Sequence, residues 1–183
     1  MMAFVRTYIQ TLVTLTLAAA CVAMIVLWPQ WREALAQEGY YKPGRMTGGG
    51  KDNCTVDNVA VKHGFVLHCD ANDRPNMLEV NWTINGQTGS HRFKLDTLES
   101  AACEDKGLTE APPAAGFDTY TGTGTGLYTD NQNNQCDASA EWVFTDNGEP
   151  GHTDSFEITI TCEGQTVLGI LCPLGGNHQA HKK

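Results

Sequence analysis

A cluster of acidic side chains surrounds a Gly-Glu-Pro-Gly turn in the segment FTDNGEPGHTDSFEITI, residues 144–160. Four side chains could supply oxygen ligands to a cation: Asp146, Asn147, Glu149 and Asp154. Calcium takes six to eight oxygens, so a calcium loop is one interpretation. The EF-hand spacing is missing, however, and Asp and Asn also favour turns because their side chains bond to nearby backbone. A carboxylate pair of a polysaccharide hydrolase is a third interpretation, although such pairs must flank a cleft.

Three histidines form a second candidate metal site: His63, His178 and His181. Imidazole nitrogens favour zinc or copper, so a transition-metal site is conceivable. His63 occupies a position that the local pattern assigns to the core, where a hydrogen-bonded histidine is the simpler interpretation. The other two lie in a glycine-rich C-terminal tail, where we expect solvated side chains. We therefore expect no cofactor, with calcium or a transition metal as the alternative.

Strands must position these residues, because the apolar residues of the chain repeat with a period of two. Four runs alternate in this way: 59–69, 78–84, 138–144 and 156–162. A short strand over 166–172 follows, and Asn85-Gly86 is a typical hairpin turn. In the middle, 98–120 predicts a helical turn and a proline-bearing loop, and TGTGTGLY (121–128) predicts a flat or edge strand. The pattern indicates an all-β, antiparallel β-sandwich-like domain.

The acidic segment then forms the closed end of a hairpin. If Trp142 faces Phe156, the same register places Cys136 opposite Cys162. Directly opposed residues on antiparallel strands lie about 4.5–5.5 Å apart, which suits disulfide geometry. We therefore predict a Cys136–Cys162 bond, with the acids in the hairpin loop.

The N-terminus indicates export. Arg6 precedes an apolar stretch from about Tyr8 to Trp28, which Pro29 ends. The A-x-A site at residues 34–36 follows, and together these features predict a signal peptide over residues 1–36. The stretch approaches the length of a membrane span, so an uncleaved signal-anchor helix is the alternative, and in that case alone we expect a membrane partner. Residues 37–46 are predicted to form a linker and residues 47–183 a single domain.

Cysteine usage agrees with export. Six cysteines remain when Cys21 of the signal segment is set aside: Cys54, Cys69, Cys103, Cys136, Cys162 and Cys172. An even number in an exported domain suggests disulfides, although six cysteines allow fifteen pairings. No C-x-x-C motif occurs, which argues against zinc ribbons and thioredoxin-like redox sites.

The balance of charge argues against nucleic acid as a partner. The 183-residue chain carries 21 Asp and Glu against 12 Lys and Arg, a formal net charge of −9. An acidic surface repels phosphate backbones, and no basic stripe interrupts it in the sequence. We expect a protein or glycan partner instead, and a secreted, periplasmic or cell-surface location.

Six motifs, taken in order, resemble the post-COAP-1 domain, an exported bacterial module: GRMTGGG, HGFVLHCD, PNMLEVNW, FDTYTGTGTGLY, AEWVFTDNGEPGHTDSFEITI and GGNHQAH. The resemblance covers nearly all of residues 44–182. It implies a β-sandwich-like extracellular module and carries over no activity and no catalytic residue. It also implies a Cys69–Cys103 bond, and Cys54 and Cys172 then remain as the third pair.

Taken together, these features predict a non-enzymatic, exported or cell-surface module with a structural or partner-binding role in the envelope or extracellular space. The alternatives are a secreted metal-binding protein and a polysaccharide-acting hydrolase.

Overall fold

The structure, a computed structural model, describes residues 43–54, 59–109, 114–173 and 175–183, without the side chains of residues 52–54. The predicted signal peptide or anchor at 1–36 and residues 37–42 of the predicted linker lie outside this part of the chain. The first strand begins at Gly44, so the end of the predicted linker already belongs to the domain. Met46 in this stretch is fully buried.

Nine antiparallel strands make up most of the described residues, which contain no helix. The strands are β1 (Gly44–Cys54), β2 (Val59–His68), β3 (Met77–Ile84), β4 (His91–Glu104), β5 (Thr119–Thr129), β6 (Gln135–Thr145), β7 (Ser155–Cys162), β8 (Gln165–Pro173) and β9 (Gly176–Lys182). The predicted all-β, antiparallel class is confirmed. The helical turn predicted within 98–120 is wrong, because β4 continues through this stretch and pairs with β5 as far as Glu104.

All nine strands belong to one sheet, in the order β8-β7-β6-β5-β4-β3-β2-β1-β9. The sheet is strongly curled, because strands far apart in this order touch across its inner face. The rings of His63 on β2 and Phe156 on β7 stack with centroids 4.0 Å apart, and those of Phe65 and Phe144 lie 4.6 Å apart. The division into two packed sheets that a sandwich requires is therefore not confirmed.

The inner face of the curled sheet is the hydrophobic core. Buried and exposed positions alternate along the strands, which is the period-two pattern of the sequence. Burying one phenylalanine in such a core stabilises a fold by about 1.5–3 kcal/mol. The aromatic side chains among the largest fully buried ones are Trp82, Trp142, Tyr120, Phe93, Phe117, Phe144 and Phe156.

Strand β5 lies inside the sheet between β4 and β6, so the predicted edge position of TGTGTGLY is wrong. The glycines of β5 are required by close neighbours rather than by an exposed position. A Cβ at Gly122 would lie 2.7 Å from the Trp142 ring, and a Cβ at Gly126 would collide with the Lys94 carbonyl. Glycine here makes room for a tryptophan and for the neighbouring strand.

Strand β4 carries two irregularities and one crosslink. Its pairing with β5 shifts at two places, which leaves Asp96 and Glu99 as extra residues of β-bulges. The Cys69–Cys103 disulfide joins the end of β2 to β4, with the Cα atoms 5.5 Å apart. The pair implied by the family resemblance is thus present.

Strands β6 and β7 form the predicted hairpin, but in a register two residues away from the prediction. Trp142 pairs with Ile158 instead of Phe156. The predicted register would place Phe144 opposite Asp154, whereas the observed register pairs Phe144 with Phe156, and their rings stack with centroids 5.0 Å apart. Because side chains alternate with a period of two, this shift leaves each of them on its predicted face.

The predicted Cys136–Cys162 disulfide forms despite the changed register. Cys162 lies opposite Ala138, so the bond crosses the hairpin diagonally with its Cα atoms 6.4 Å apart. This separation is within the usual range for disulfides.

The end of the chain departs most from expectation. The strand predicted at 166–172 is β8, but the tail that follows is not solvated: it forms β9, which pairs with β1. Cys172 is buried and disulfide-bonded, and β8 contacts β1. The side chain of Cys54 lies outside the described residues, so the Cys54–Cys172 pair stays a prediction.

Candidate functional site

Two carboxylates of the β6–β7 loop bind the outer edge of strand β9. The backbone N–H of Ala180 donates to Asp146 (2.8 Å), and that of His178 donates to Asp154 (2.8 Å). β9 is the last strand of the sheet, so its outer N–H groups have no further strand to pair with. The two carboxylates take the place of strand carbonyls. We call Asp146 and Asp154, bound in this way to β9, the carboxylate clamp.

The remaining oxygens of the clamp bind the loop that carries it. The N–H of Gly148 donates to Asp146 (3.1 Å), and the N–H of Asn147 donates to Asp154 (2.7 Å). Gly148 has a φ of 83°, a conformation that favours glycine. Asp146 and Asp154 are both buried. All four carboxylate oxygens of the clamp therefore accept a backbone N–H.

The other two residues predicted to bind calcium hold neighbouring segments. Asn147 accepts a hydrogen bond from the N–H of Thr109 (2.9 Å), and Glu149 accepts one from the side-chain amide of Asn177 (3.0 Å). Across the described part of the chain, no group of three or more His, Cys, Asp or Glu side chains is arranged to hold a metal ion. The structure thus brings the acids together in one loop and directs their oxygens towards the chain itself.

Burial raises the pKa of Asp154, although the N–H groups of Asn147 and His178 oppose the shift, and the nearby Asp146 and Glu149 add to it. With a folded pKa above the ordinary 3.8, the folded state keeps this proton to a higher pH than the unfolded state. The resulting stability is present below 3.8 and is lost as the pH rises through the folded pKa of Asp154.

The structure brings together two of the three histidines of the predicted transition-metal site. The Nε2 atoms of His63 and His178 lie 3.0 Å apart, and both side chains are buried. His181 is directed elsewhere: its Nε2 lies 2.8 Å from the Thr47 hydroxyl. Burial, assisted by the charge of Arg45, lowers the pKa of His181. The residues form a buried histidine pair rather than a cluster of three.

Hydrogen bonding fixes the protons of this pair. The Nδ1 of His178 lies 3.1 Å from the carbonyl oxygen of Thr145, which can only accept, so Nδ1 carries the proton. The Nε2 of neutral His178 is then an acceptor, and the Nε2–H of His63 donates to it.

A third buried carboxylate, Asp118, escaped the sequence analysis. It accepts hydrogen bonds from the N–H groups of Lys106 (3.0 Å) and Leu108 (2.8 Å) and from the hydroxyl of Thr119 (2.7 Å). Like the clamp, it binds a neighbouring loop through backbone donors. An aspartate beside an aromatic residue is not distinctive in a sequence, so no local signal would have identified Asp118.

A third buried histidine, His91, contributes to the core opposite Trp82 of β3. The Nδ1 of His91 lies 2.7 Å from the Tyr128 hydroxyl, and its ring stacks on Trp82 with centroids 5.3 Å apart. Burial lowers the pKa of His91, although the charge of Asp130 opposes the shift. Trp82 is only 1% exposed, and its indole N–H has no hydrogen-bond partner among the described residues.

On the outer face, three cations lie side by side across four strands. The register places Lys51 on β1 opposite Lys62 on β2, Lys62 opposite Asn81 on β3, and Asn81 opposite Arg92 on β4. The three charged side chains are exposed, and none of them forms an ion pair within the described residues. We call Lys51, Lys62, Asn81 and Arg92 the cationic row.

The cationic row borders a groove on the described surface. The groove has a volume of about 590 Å³, and it is lined by Lys51, Lys62, Asn81, Trp82, Thr83 and Ser90 among others. No basic stripe is visible in the sequence because the cations are far apart in the chain, and the pairing register alone aligns them. The row could have been predicted only from the correct pairing registers of strands β1 to β4.

The comparisons with known proteins add no relative: no protein-family model, curated protein or solved structure matches the chain. Within the described residues, no helix has the length and apolarity of a membrane span.

Proposed function

We propose that the protein is a non-enzymatic module that is exported with removal of residues 1–36 and binds a component of the cell envelope or extracellular space. The observation that carries this proposal is the bonding of the carboxylate clamp. All four oxygens of Asp146 and Asp154 accept backbone N–H groups, so the most acidic loop of the chain serves to hold its last strand. A general acid or base must instead exchange a proton with a substrate.

The disulfides support the exported location. Cys69–Cys103 and Cys136–Cys162 both link separate strands, and structural disulfides of this kind persist in oxidising compartments. The resemblance to the post-COAP-1 domain points the same way, and we include membership of that family and its sandwich-like architecture in the proposal.

Retention on isolated cell envelopes tests the proposal. The exported, disulfide-bonded protein is mixed with washed envelopes at increasing concentration, and the bound fraction is measured after sedimentation. We expect saturable binding that a reduced, unfolded sample does not show. Release of sugar or peptide products, abolished by Asp146→Asn in a protein that still folds, would contradict the non-enzymatic assignment. Absence of any saturable binding would contradict the partner-binding role.

A further inference from the structure

We infer that the cationic row binds a linear acidic polysaccharide, a glycan whose carboxylates recur along an extended chain. The inference rests on the proposed function and names the class of its ligand. Three observations carry it: the alignment of the cations, their lack of ion-pair partners, and the chemistry of the groove beside them.

The alignment of the cations lowers the stability of the sheet, and nothing in the fold requires it. Lys51 and Lys62 are directly opposed on neighbouring strands, where like charges destabilise a sheet. The chain has 21 acidic residues against 12 basic ones, so an acidic partner for either lysine would be easy to provide. Among the described residues, neither lysine has such a partner. An anionic ligand would offset the repulsion.

The geometry of the row fits an extended ligand. Neighbouring strands lie about 4.8 Å apart, so the four positions from β1 to β4 span roughly 15 Å across the sheet. Cations occupy the first, second and fourth positions, and Asn81 occupies the third. The side-chain amide of Asn81 donates to Glu79, an acid that borders the row on the same strand. A polymer crossing the strands would meet a cation at most of the positions it passes.

The groove favours a glycan over other polyanions. Asn81, Thr83 and Ser90 place amide and hydroxyl groups beside the lysines, and such groups pair readily with sugar hydroxyls. Single-stranded nucleic acids are bound largely by stacking on aromatic rings, and the aromatic residue that lines this groove, Trp82, is only 1% exposed.

Calorimetric titration of the exported, disulfide-bonded protein tests the inference. The probe is a uronate hexasaccharide prepared from polygalacturonate, and the control ligand is the same hexasaccharide with its carboxyl groups reduced to alcohols. We expect the acidic glycan to bind and the neutral one not to bind. Raising the salt from about 50 mM to about 200 mM should weaken the binding, since exposed charges are screened.

Charge-removing variants locate the site. Lys51→Gln, Lys62→Gln and Arg92→Gln should each weaken binding about fivefold, the effect of losing one exposed ion pair. Lys182→Gln is the matched control, because Lys182 is exposed on β9 outside the row, and its affinity should equal that of the wild-type protein.

Three results would overturn the inference. The first is equal affinity for the wild-type protein and the three row variants. The second is equal affinity for the acidic and the reduced hexasaccharide, and the third is tighter binding of a single-stranded RNA homopolymer than of the uronate. If all three row variants are still retained on cell envelopes, the proposed function stands, but the cationic row is not the site that binds the envelope.

Discussion

The carboxylate clamp and the cationic row use charge in opposite ways. In the clamp, Asp146 and Asp154 are buried, and every carboxylate oxygen accepts an N–H of the chain. In the row, Lys51, Lys62 and Arg92 are exposed side by side without an ion pair among the described residues. A buried charge whose hydrogen bonds are all made stabilises the fold. Exposed charges of one sign repel each other and lower the stability of the fold, and an anionic ligand would relieve that repulsion. The comparison separates a scaffold element from a binding surface.

The largest expected effect concerns the clamp. Asp154→Ala removes the acceptor of the half-buried Asn147 N–H and of the buried His178 N–H, and each unsatisfied group costs about 1–3 kcal/mol. We expect a loss of about 3 kcal/mol in the free energy of unfolding, measured by urea denaturation. Asp96→Ala removes an exposed carboxylate at a β-bulge and should change stability by less than about 0.5 kcal/mol. Equal losses of unfolding free energy in the two variants would contradict the claim that the clamp carboxylates stabilise the fold more than an exposed carboxylate does.

Acid should destabilise the protein at His91, whose pKa is lowered in the folded state. Burial lowers its pKa, so the unfolded chain binds a proton at a higher pH than the folded protein does. The stability that His91 contributes is therefore complete above pH 6.5 and is lost as the pH falls through the folded pKa. His91→Gln should reduce this loss of stability between about pH 7 and pH 5, measured by urea denaturation. An unchanged pH dependence in His91→Gln would contradict the role assigned to His91.

A smaller effect of opposite sign is expected in the cationic row. Lys62→Glu replaces a repulsive pair with an attractive one opposite Lys51 and should raise the free energy of unfolding by about 0.5 kcal/mol. The same change should abolish binding of the acidic hexasaccharide. Lys182→Glu is the control and should leave stability unchanged. A destabilised Lys62→Glu protein would show that the row serves the fold.

The sequence contains enough information for the strands and their faces. Alternation over 59–69, 78–84, 138–144 and 156–162 predicts β2, β3, β6 and β7, because one side of each strand is buried. The register of the β6–β7 hairpin was missed by two residues, since such a shift leaves the buried face unchanged and only the pairing of Phe144 with Phe156 distinguishes the two registers.

Long-range contacts account for what the sequence did not predict. Strand β9 has few apolar residues and is held by Asp146 and Asp154, which precede it by more than 20 positions. The cationic row draws on β1, β2 and β4, and no local pattern reports their alignment. The acids and histidines of the candidate metal sites are recognisable in the sequence, but their partners are distant parts of the chain, backbone N–H groups for Asp146 and Asp154 and side chains for the histidines, which no local pattern reports.

Hydrogen exchange at strand β9 tests the central claim most directly. If the clamp closes the outer edge of β9, the Ala180 and His178 amides exchange slowly in the wild-type protein. In Asp146→Ala, the Ala180 amide should exchange about tenfold faster or more, as expected from losing a buried charge-assisted bond. Two results would contradict the account: fast exchange of both amides in the wild-type protein, or an exchange rate of the Ala180 amide that is the same in Asp146→Ala as in the wild-type protein.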